Sequence, residues 1–249
     1  MKIVVCVSLV PDSTTKVKIS DNNKSIDENG VTFIINPYDE FAVEEAVQLK
    51  EKKNAETFAI SFGSAKHKEA IKKAFQMGID KGILIQSGTD DFDSFTAAKN
   101  LAGAIKEINP DIVFFGKQSI DFDGSVVPGM VGELLGIPSV NVVTNIEYGD
   151  NILTLEREIE GGKEIISASM PVVIGAQKGL NTPRYPNLKS IMASKSRPIE
   201  EKKAAYSGNM TVVNEMKLPE MKGKGKILTD GVNSVPELVS LLRNEAKVI

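Results

Sequence analysis

The residues best placed to do chemistry lie between Asp111 and Met130, in DIVFFGKQSIDFDGSVVPGM. Ile112 to Phe115 is wholly apolar, the pattern of a strand buried on both faces. Gly116 ends it, and a polar loop follows with Lys117, Gln118, Ser119, Asp121, Asp123, Gly124 and Ser125. Val126 to Leu135 then has helical spacing. Strand, glycine, polar loop and helix is how an open α/β sheet presents ligand-binding groups at the carboxyl end of a strand. A helix start there offers free backbone N–H groups and the positive end of a dipole, which suits a phosphate. An ordinary strand-to-helix connection has the same pattern, so both readings stand at this point.

Other candidates are weaker. Two carboxylate pairs occur, Asp121 with Asp123 and Asp90 with Asp91. General acid–base work needs such a pair in a cleft with two different environments. Asp90 and Asp91 read as turn formers. Asp121 and Asp123 read as caps for the following helix or as acceptors for ribose hydroxyls, a role that needs no catalytic pKa. The one cysteine, Cys6, sits in the apolar run IVVCV and reads as a buried thiol. The one histidine, His67, lies among lysines and a glutamate and reads as part of a solvated helix face. A Cys/His zinc site and a histidine-based triad are therefore not expected. No GxGxxG follows the first strand, and no GxxxxGK[ST] is present. The glycine–lysine run beginning at Gly223 lacks a preceding strand and reads as a flexible turn.

Composition bounds the rest. The 249 residues suffice for one sizeable core with an appendage. Net charge is −3, so there is no overall basic field for nucleic acid. A lone cysteine excludes an internal disulfide. No run approaches the ~20 apolar residues of a membrane span, and the chain starts directly on a strand without a signal-peptide pattern. These features predict a soluble, reduced, cytoplasmic protein.

Along the chain, Lys2 to Val10 reads as the first buried strand. Val17 to Ile19 and Val31 to Ile35 read as short β pieces around a hairpin or excursion. Glu40 to Lys53 reads as a helix with Asp39 as N-cap, an apolar face through Ala42, Val43, Ala46, Val47 and Leu49, and a solvated face carrying Glu44, Glu45, Lys50 and Lys52. Thr57–Phe62 and Gly82–Gln86 read as strands, and Lys68–Met77 and Ser94–Ile108 as helices. This β-α-β-α-β-α-β alternation predicts an α/β fold with a largely parallel open sheet and helices on both faces. Ser139–Val143 reads as a strand, Ile146 to Ser169 as a hairpin turning at Gly161 and Gly162, and Met170–Ala176 as a last strand. From Leu180 the periodicity fades, so the stretch is expected to be mobile or to lie across another protein. Residues 207–226 are similarly irregular, and 234–247 read as an amphipathic helix capped by Ser234. The expected organisation is a nucleotide-binding α/β domain at 1–180, a recognition segment at 181–206 and a C-terminal arm with a final helix at 207–249.

Four stretches occur together and in order: NPYDEFAVEEA from Asn36, GKQSID from Gly116, EREIEGG from Glu156 and NTPRYPNL from Asn181. On these the chain resembles the small (beta) subunit family of electron-transfer flavoproteins, over nearly its whole length. The resemblance implies an adenine-nucleotide alpha-hydrolase-like domain that holds AMP structurally and performs no catalysis on it. It implies a heterodimer with a larger alpha subunit carrying the redox-active FAD. Carried over by position, the nucleotide pocket would comprise Cys6, Asn36, Pro37, Tyr38, Asp39, Phe62, Gly63, Gly116, Lys117, Gln118, Asp121, Asp123, Gly124, Ser125, Val126 and Val127. Backbone N–H groups from Asp123 to Val127 would hold the phosphate, and Tyr38 matches a position near the partner's flavin. The segment with Leu188, Ile191 and Met192 resembles a recognition loop whose leucine anchors acyl-CoA or other dehydrogenases, with a quinone-linked oxidoreductase as a further partner class. The resemblance implies 207–249 packing on the alpha subunit.

The chain departs from the family in two places. The loop runs DDDxNQTG in ordinary members and DGDTAQVG in the electron-bifurcating branch, whereas here it is DFDGSVVPG from Asp121 to Gly129. It matches neither pattern, which leaves the nucleotide open between AMP and a second FAD reduced by NADH. The basic run after the anchor is diluted to Ala193-Ser-Lys-Ser-Arg197, which leaves partner choice open. A non-redox nucleotide-binding module, and a small hydrolase using Asp121 or Asp123, are the competing classes.

Overall fold

The computed structural model describes residues 1–89, 91–220, 223 and 225–249. Asp90 of the Asp90–Asp91 pair and Lys224 of the glycine–lysine run lie outside the described residues. Two compact units form, one from residues 1–17 and 27–214, the other from 18–26 and 215–249.

The larger unit is built on a nine-stranded sheet. In chain order its elements are β1 (Lys2–Cys6), β2 (Leu9–Pro11), β3 (Phe33–Ile35), α1 (Pro37–Lys53), β4 (Glu56–Gly63), α2 (Lys68–Met77), β5 (Lys81–Gln86), α3 (Ser94–Ile108), β6 (Ile112–Gly116), α4 (Val127–Leu135), β7 (Ser139–Tyr148), β8 (Ile152–Ile159), β9 (Gly162–Ser169), β10 (Val172–Ala176), α5 (Leu188–Ser194) and β11 (Ile199–Lys203). The order across the sheet is β11-β5-β4-β1-β6-β10-β7-β8-β9, and β2 pairs with β3 separately. Seven strands from β11 to β7 are parallel, and β8 and β9 extend the edge as an antiparallel hairpin.

Period-two alternation sends side chains to two cores. Ile3 and Val5 of β1 join α1 and α2 on one face, with Val43, Val47, Ile71 and Phe75. Val4 and Cys6 join α3 and α4 on the other, with Leu101, Ile105 and Val131. Helices cover both faces, as the alternation of elements predicts.

Several local expectations change. The run from Lys2 to Val10 splits, because after Cys6 the chain leaves the main sheet to pair Leu9–Pro11 with β3. α1 starts at Pro37, the first helical position, where a missing N–H costs nothing. Asp39 is therefore inside the first turn and caps nothing. Glu44 and Glu45 are buried rather than solvated. The chain after β10 crosses α1 and covers them. There Arg184 meets Glu44 (Nε to Oε2, 2.9 Å) and Asn181 donates to Glu45 (2.9 Å), whose other oxygen takes the Tyr148 hydroxyl (2.7 Å). Burial and Glu45 beside it push the Tyr148 phenol far up.

The segment at 181–206 is also more ordered than its composition predicts. It contains α5, packed against α2, and β11, whose sequence IEEKK pairs in parallel with β5. Charged residues suit an edge strand, where they point to water and discourage further pairing. Lys68 pairs with Glu201 at 2.6 Å, and Lys202 pairs with Glu107 at 2.5 Å.

The smaller unit has an isolated bridge between Ile19 and Ile26, and Met216 N–H donates to Asn23 O at 2.7 Å. Its final helix begins as a 3-10 turn at Gly231–Ser234, continues as α6 (Val235–Ser240) and ends as a π-helical turn at Leu241–Glu245. Ser234 makes no capping bond to it. Leu218, Ile227, Val232, Leu238 and Val248 are exposed there. Among the described residues, no helix is long and apolar enough to cross a membrane, and no acidic, histidine or cysteine cluster could hold a metal.

Candidate nucleotide crevice and recognition segment

The chain runs from β1 outward to β4 and β5 on one side, then returns to β6 on the other. The carboxyl ends of β1 and β6 therefore flank a topological switch point, where open α/β sheets bind ligands. Asn36, Asp39, Gly116 and Gln118 meet there.

Asp39 organises the crevice. Its carboxylate accepts from Ser8 N–H (2.7 Å), Ser8 Oγ (2.8 Å), Asn36 Nδ2 (2.8 Å) and Gly116 N–H (3.1 Å). One side chain thus ties the chain after β1, the end of β6 and the start of α1. Burial raises its pKa to about 6 against the opposing hydrogen bonds from Ser8, Asn36 and Gly116. Gly116 permits the approach, since a Cβ there would lie 2.7 Å from the Tyr38 backbone carbon. Asn36 is 1% exposed and donates also to Gln118 O at 2.9 Å, while its Oδ1 has no partner. A buried amide oxygen without a donor is costly, and this one belongs to a side chain held beside the end of β6.

The loop after β6 is braced from outside. Asn141 of β7 donates to Lys117 O and to Ser125 Oγ, each at 3.0 Å, and Ser125 Oγ donates to Lys117 O at 2.9 Å. Gln118 Nε2 donates to Asp123 Oδ1 at 2.6 Å, and Asp121 Oδ1 accepts from Phe122 N–H at 2.9 Å. Asp123 and Ser125 have φ of 51° and 54°. Both aspartates are thus engaged within the loop, and neither caps α4. The N-cap position is Val126, with no side-chain cap bond, so the first N–H groups of α4 are left for water or an anion. Lys117 places its ammonium 5.0 Å from the centre of the Tyr38 ring. Gly124 is unexpectedly roomy: a Cβ there meets nothing closer than 3.9 Å.

Cys6 is buried, and desolvation together with the Asp39 charge raises its thiol pKa well above the ordinary value, so it is no nucleophile. Phe62 stands edge-on to Phe92, with centroids 4.6 Å apart. Gly63 has φ of 152°, and a Cβ on it would collide with the His67 ring. His67 is accordingly buried against this glycine rather than solvated, with Nδ1 3.3 Å from Ser64 O. Pro37 and Val127 lie at the starts of α1 and α4, and Val126 also lines a cavity of about 310 Å³ with Asp93, Ser94, Phe95, Met130, Met210 and Thr211.

The predicted recognition residues lie on α5, away from these strand ends. Asn187 caps that helix by accepting from Ser190 N–H at 2.9 Å. Leu188 is 82% exposed and Met192 64% exposed, while Ile191 is half-buried. Leu188 is therefore not a core residue. Sequence reasoning missed Ser8, Asn141 and Arg184, whose partners lie 31, 24 or 16, and 140 residues away.

Comparison with known proteins matches residues 24–207 to the electron transfer flavoprotein domain. A protein from Syntrophomonas wolfei called electron transfer flavoprotein subunit beta is 40% identical over 250 residues, covering 100% of this chain and 98% of that protein. A Bacillus subtilis protein of the same description is 36% identical, covering 94% and 95%. A Saccharomyces cerevisiae protein, described as a probable subunit beta, is 35% identical over 100% of this chain and 98% of its own length. With the parallel sheet, its switch-point crevice and these full-length likenesses in hand, the chain belongs to the electron transfer flavoprotein family, on its beta-subunit side.

Proposed function

We propose that the chain is the nucleotide-holding subunit of a heterodimeric electron carrier. It binds AMP in the β1–β6 crevice, supports a larger FAD-bearing alpha subunit, and presents Leu188 to acyl-CoA or other dehydrogenases. The single observation that carries the nucleotide reading is an unpartnered, buried Asn36 Oδ1 on a side chain tied through Gln118 O to the loop that leads into the uncapped start of α4. The amide oxygen suits a hydroxyl or amino donor of the nucleoside, and the helix start suits its phosphate. The partner's flavin supplies the electron chemistry. This chain's own residues bind and orient, and exposed apolar residues near its end, among them Leu218, Ile227, Val232 and Leu238, offer surface for the alpha subunit.

Chemical identification of the nucleotides released by denaturing the purified complex tests the reading. AMP with one FAD is expected. Two FADs would instead make this subunit the second flavin site of a bifurcating complex, and neither nucleotide would leave a non-redox module. Gly124→Val sharpens the result, because a Cβ at this position meets no atom of the chain closer than 3.9 Å. Loss of nucleotide in that variant, with folding intact, would report crowding of the ligand.

A further inference from the structure

The exposed recognition helix is only seven residues long, well below the ~12–15 residues at which an isolated helix becomes even marginally stable. Something outside it must hold its shape. Two arginines bracket it. On the near side, Arg184 forks over α1. Its Nε and Nη2 reach the Glu44 oxygens at 2.9 and 3.1 Å, and Nη1 reaches Glu51 Oε1 at 2.5 Å. On the far side, Arg197 donates to Ile79 O and lies 5.6 Å over the ring of the buried Phe75. Between these two points Tyr185 is 97% exposed, and Leu188 and Met192 also project outward.

We infer that Arg184 and Arg197 are positioning residues that hold the 185–196 segment in its docking geometry before a partner dehydrogenase arrives. The inference rests on the docking reading above. The hydrogen bonds of Arg184 go to Glu44 and Glu51 of α1, neither of them a nucleotide residue or an exposed anchor. Its planar fork spans two carboxylates on the same face of α1, about two turns apart, which fixes both the position and the direction of the strap leading into Asn187. Arg197 fixes where the chain leaves the helix. Holding the segment in advance removes an ordering cost from binding, so the effect of each arginine appears in partner affinity.

The test uses the complete complex, with an acyl-CoA dehydrogenase of the same cell, reduced by its acyl-CoA, as the electron donor. Arg184→Ala alone would strand the buried Glu44 and risk unfolding, so the release variant is Arg184→Met with Glu44→Gln. Gln48, which already donates to Glu44 Oε1 at 3.0 Å, can still donate to the oxygen of the new amide. The expected result is an apparent KM for the dehydrogenase raised about three- to tenfold. The rate at saturating dehydrogenase and the nucleotide content stay as in the parent, and amide exchange across 185–197 becomes faster. Arg197→Met should act in the same direction. Combining the release variant with Leu188→Ala should add little beyond Leu188→Ala alone, because the tether works through the anchor. If Leu188→Ala lowers affinity while the release variant leaves KM and exchange unchanged, or the two losses simply add, the positioning role is overturned and docking survives. If Leu188→Ala itself leaves KM unchanged, the docking reading falls and takes this inference with it.

Discussion

Two extended segments cross the helices of the larger unit, and different chemistry fastens them. Residues 181–184 cross α1 largely by charge, through the Arg184 fork to Glu44 and Glu51 and the Asn181 amide on Glu45 and Phe41 O. Residues 204–211 run along α3 on amide and hydroxyl groups and one capping carboxylate. Asn100 Oδ1 accepts from the N–H groups of Ala205 (2.9 Å) and Tyr206 (3.1 Å), while its Nδ2 donates to Tyr206 O (2.8 Å). Thr96 Oγ1 donates to Gly208 O at 2.9 Å, and Asp93 accepts from Met210 N–H at 2.6 Å and Thr211 N–H at 2.9 Å. Positions 93, 96 and 100 recur at helical spacing, so one edge of α3 acts as a ladder of partners for a strand that has no sheet. The lesson is one of fragility. An ion pair with one buried member is lost at high cost when its cation goes, whereas a row of separate, mostly neutral bonds fails in smaller steps.

That contrast can be broken first at Arg184. Arg184→Ala should cost about 3–5 kcal/mol in urea unfolding, because Glu44 is left buried without its cation. A loss under about 1 kcal/mol would mean that water reaches Glu44 as soon as the strap lifts. Asn100→Ala comes next, with an expected loss of about 1–3 kcal/mol for the stranded groups of Ala205 and Tyr206. Hydrogen exchange should quicken at 204–211 and leave 181–184 unchanged. Exchange rising equally in both straps would erase the distinction between them.

A smaller effect separates the straps by pH. Partial burial pushes the Asp93 carboxyl up, but hydrogen bonds from Thr96, Met210 and Thr211 outweigh it and hold the pKa down at about 2, against an ordinary 3.8. A lowered folded-state pKa contributes stability that is present above pH 4 and is lost as pH falls towards 2. The α3 strap should therefore loosen in that acid window, and Asp93→Asn should flatten the dependence when unfolding is followed from pH 5 to pH 2. The smallest effect belongs to Glu51, the exposed end of the Arg184 fork. Glu51→Gln should cost no more than about 1 kcal/mol and less at high salt. A loss matching that of Arg184→Ala would place the strength of the strap at the surface instead of at Glu44.

The sequence made one part of this architecture plain and hid another, for a physical reason. The run Ile112–Phe115 and the helix Ser94–Ile108 follow from local apolar pattern, and the structure has both. The resemblance to a family pattern groups Asn36, Asp39 and Gly116, and the structure joins all three by hydrogen bonds. What stayed hidden depends on distant partners. Glu44 and Glu45 look solvated on a helical projection, and only a chain returning some 140 residues later buries them. His67 looks exposed among its charged neighbours until the missing side chain of Gly63 makes room for it. β11 escaped because charged edge strands carry no apolar alternation, and the pairing that defines it belongs to β5.

That last strand bears on how the protein is made. β11 is the final strand of the sheet to leave the ribosome, some 110 residues after β5. Until then β5, with Gly82-Ile-Leu-Ile85 at its centre, is an apolar strand with one edge unpaired. Such an edge invites pairing with a neighbouring nascent chain. Release of the chain before residue 199 would make that exposure permanent, so a truncated product ending between β10 and β11 should aggregate through β5 even though the rest of its sheet can form. The charged IEEKK strand thus works as a molecular seal applied at the end of synthesis.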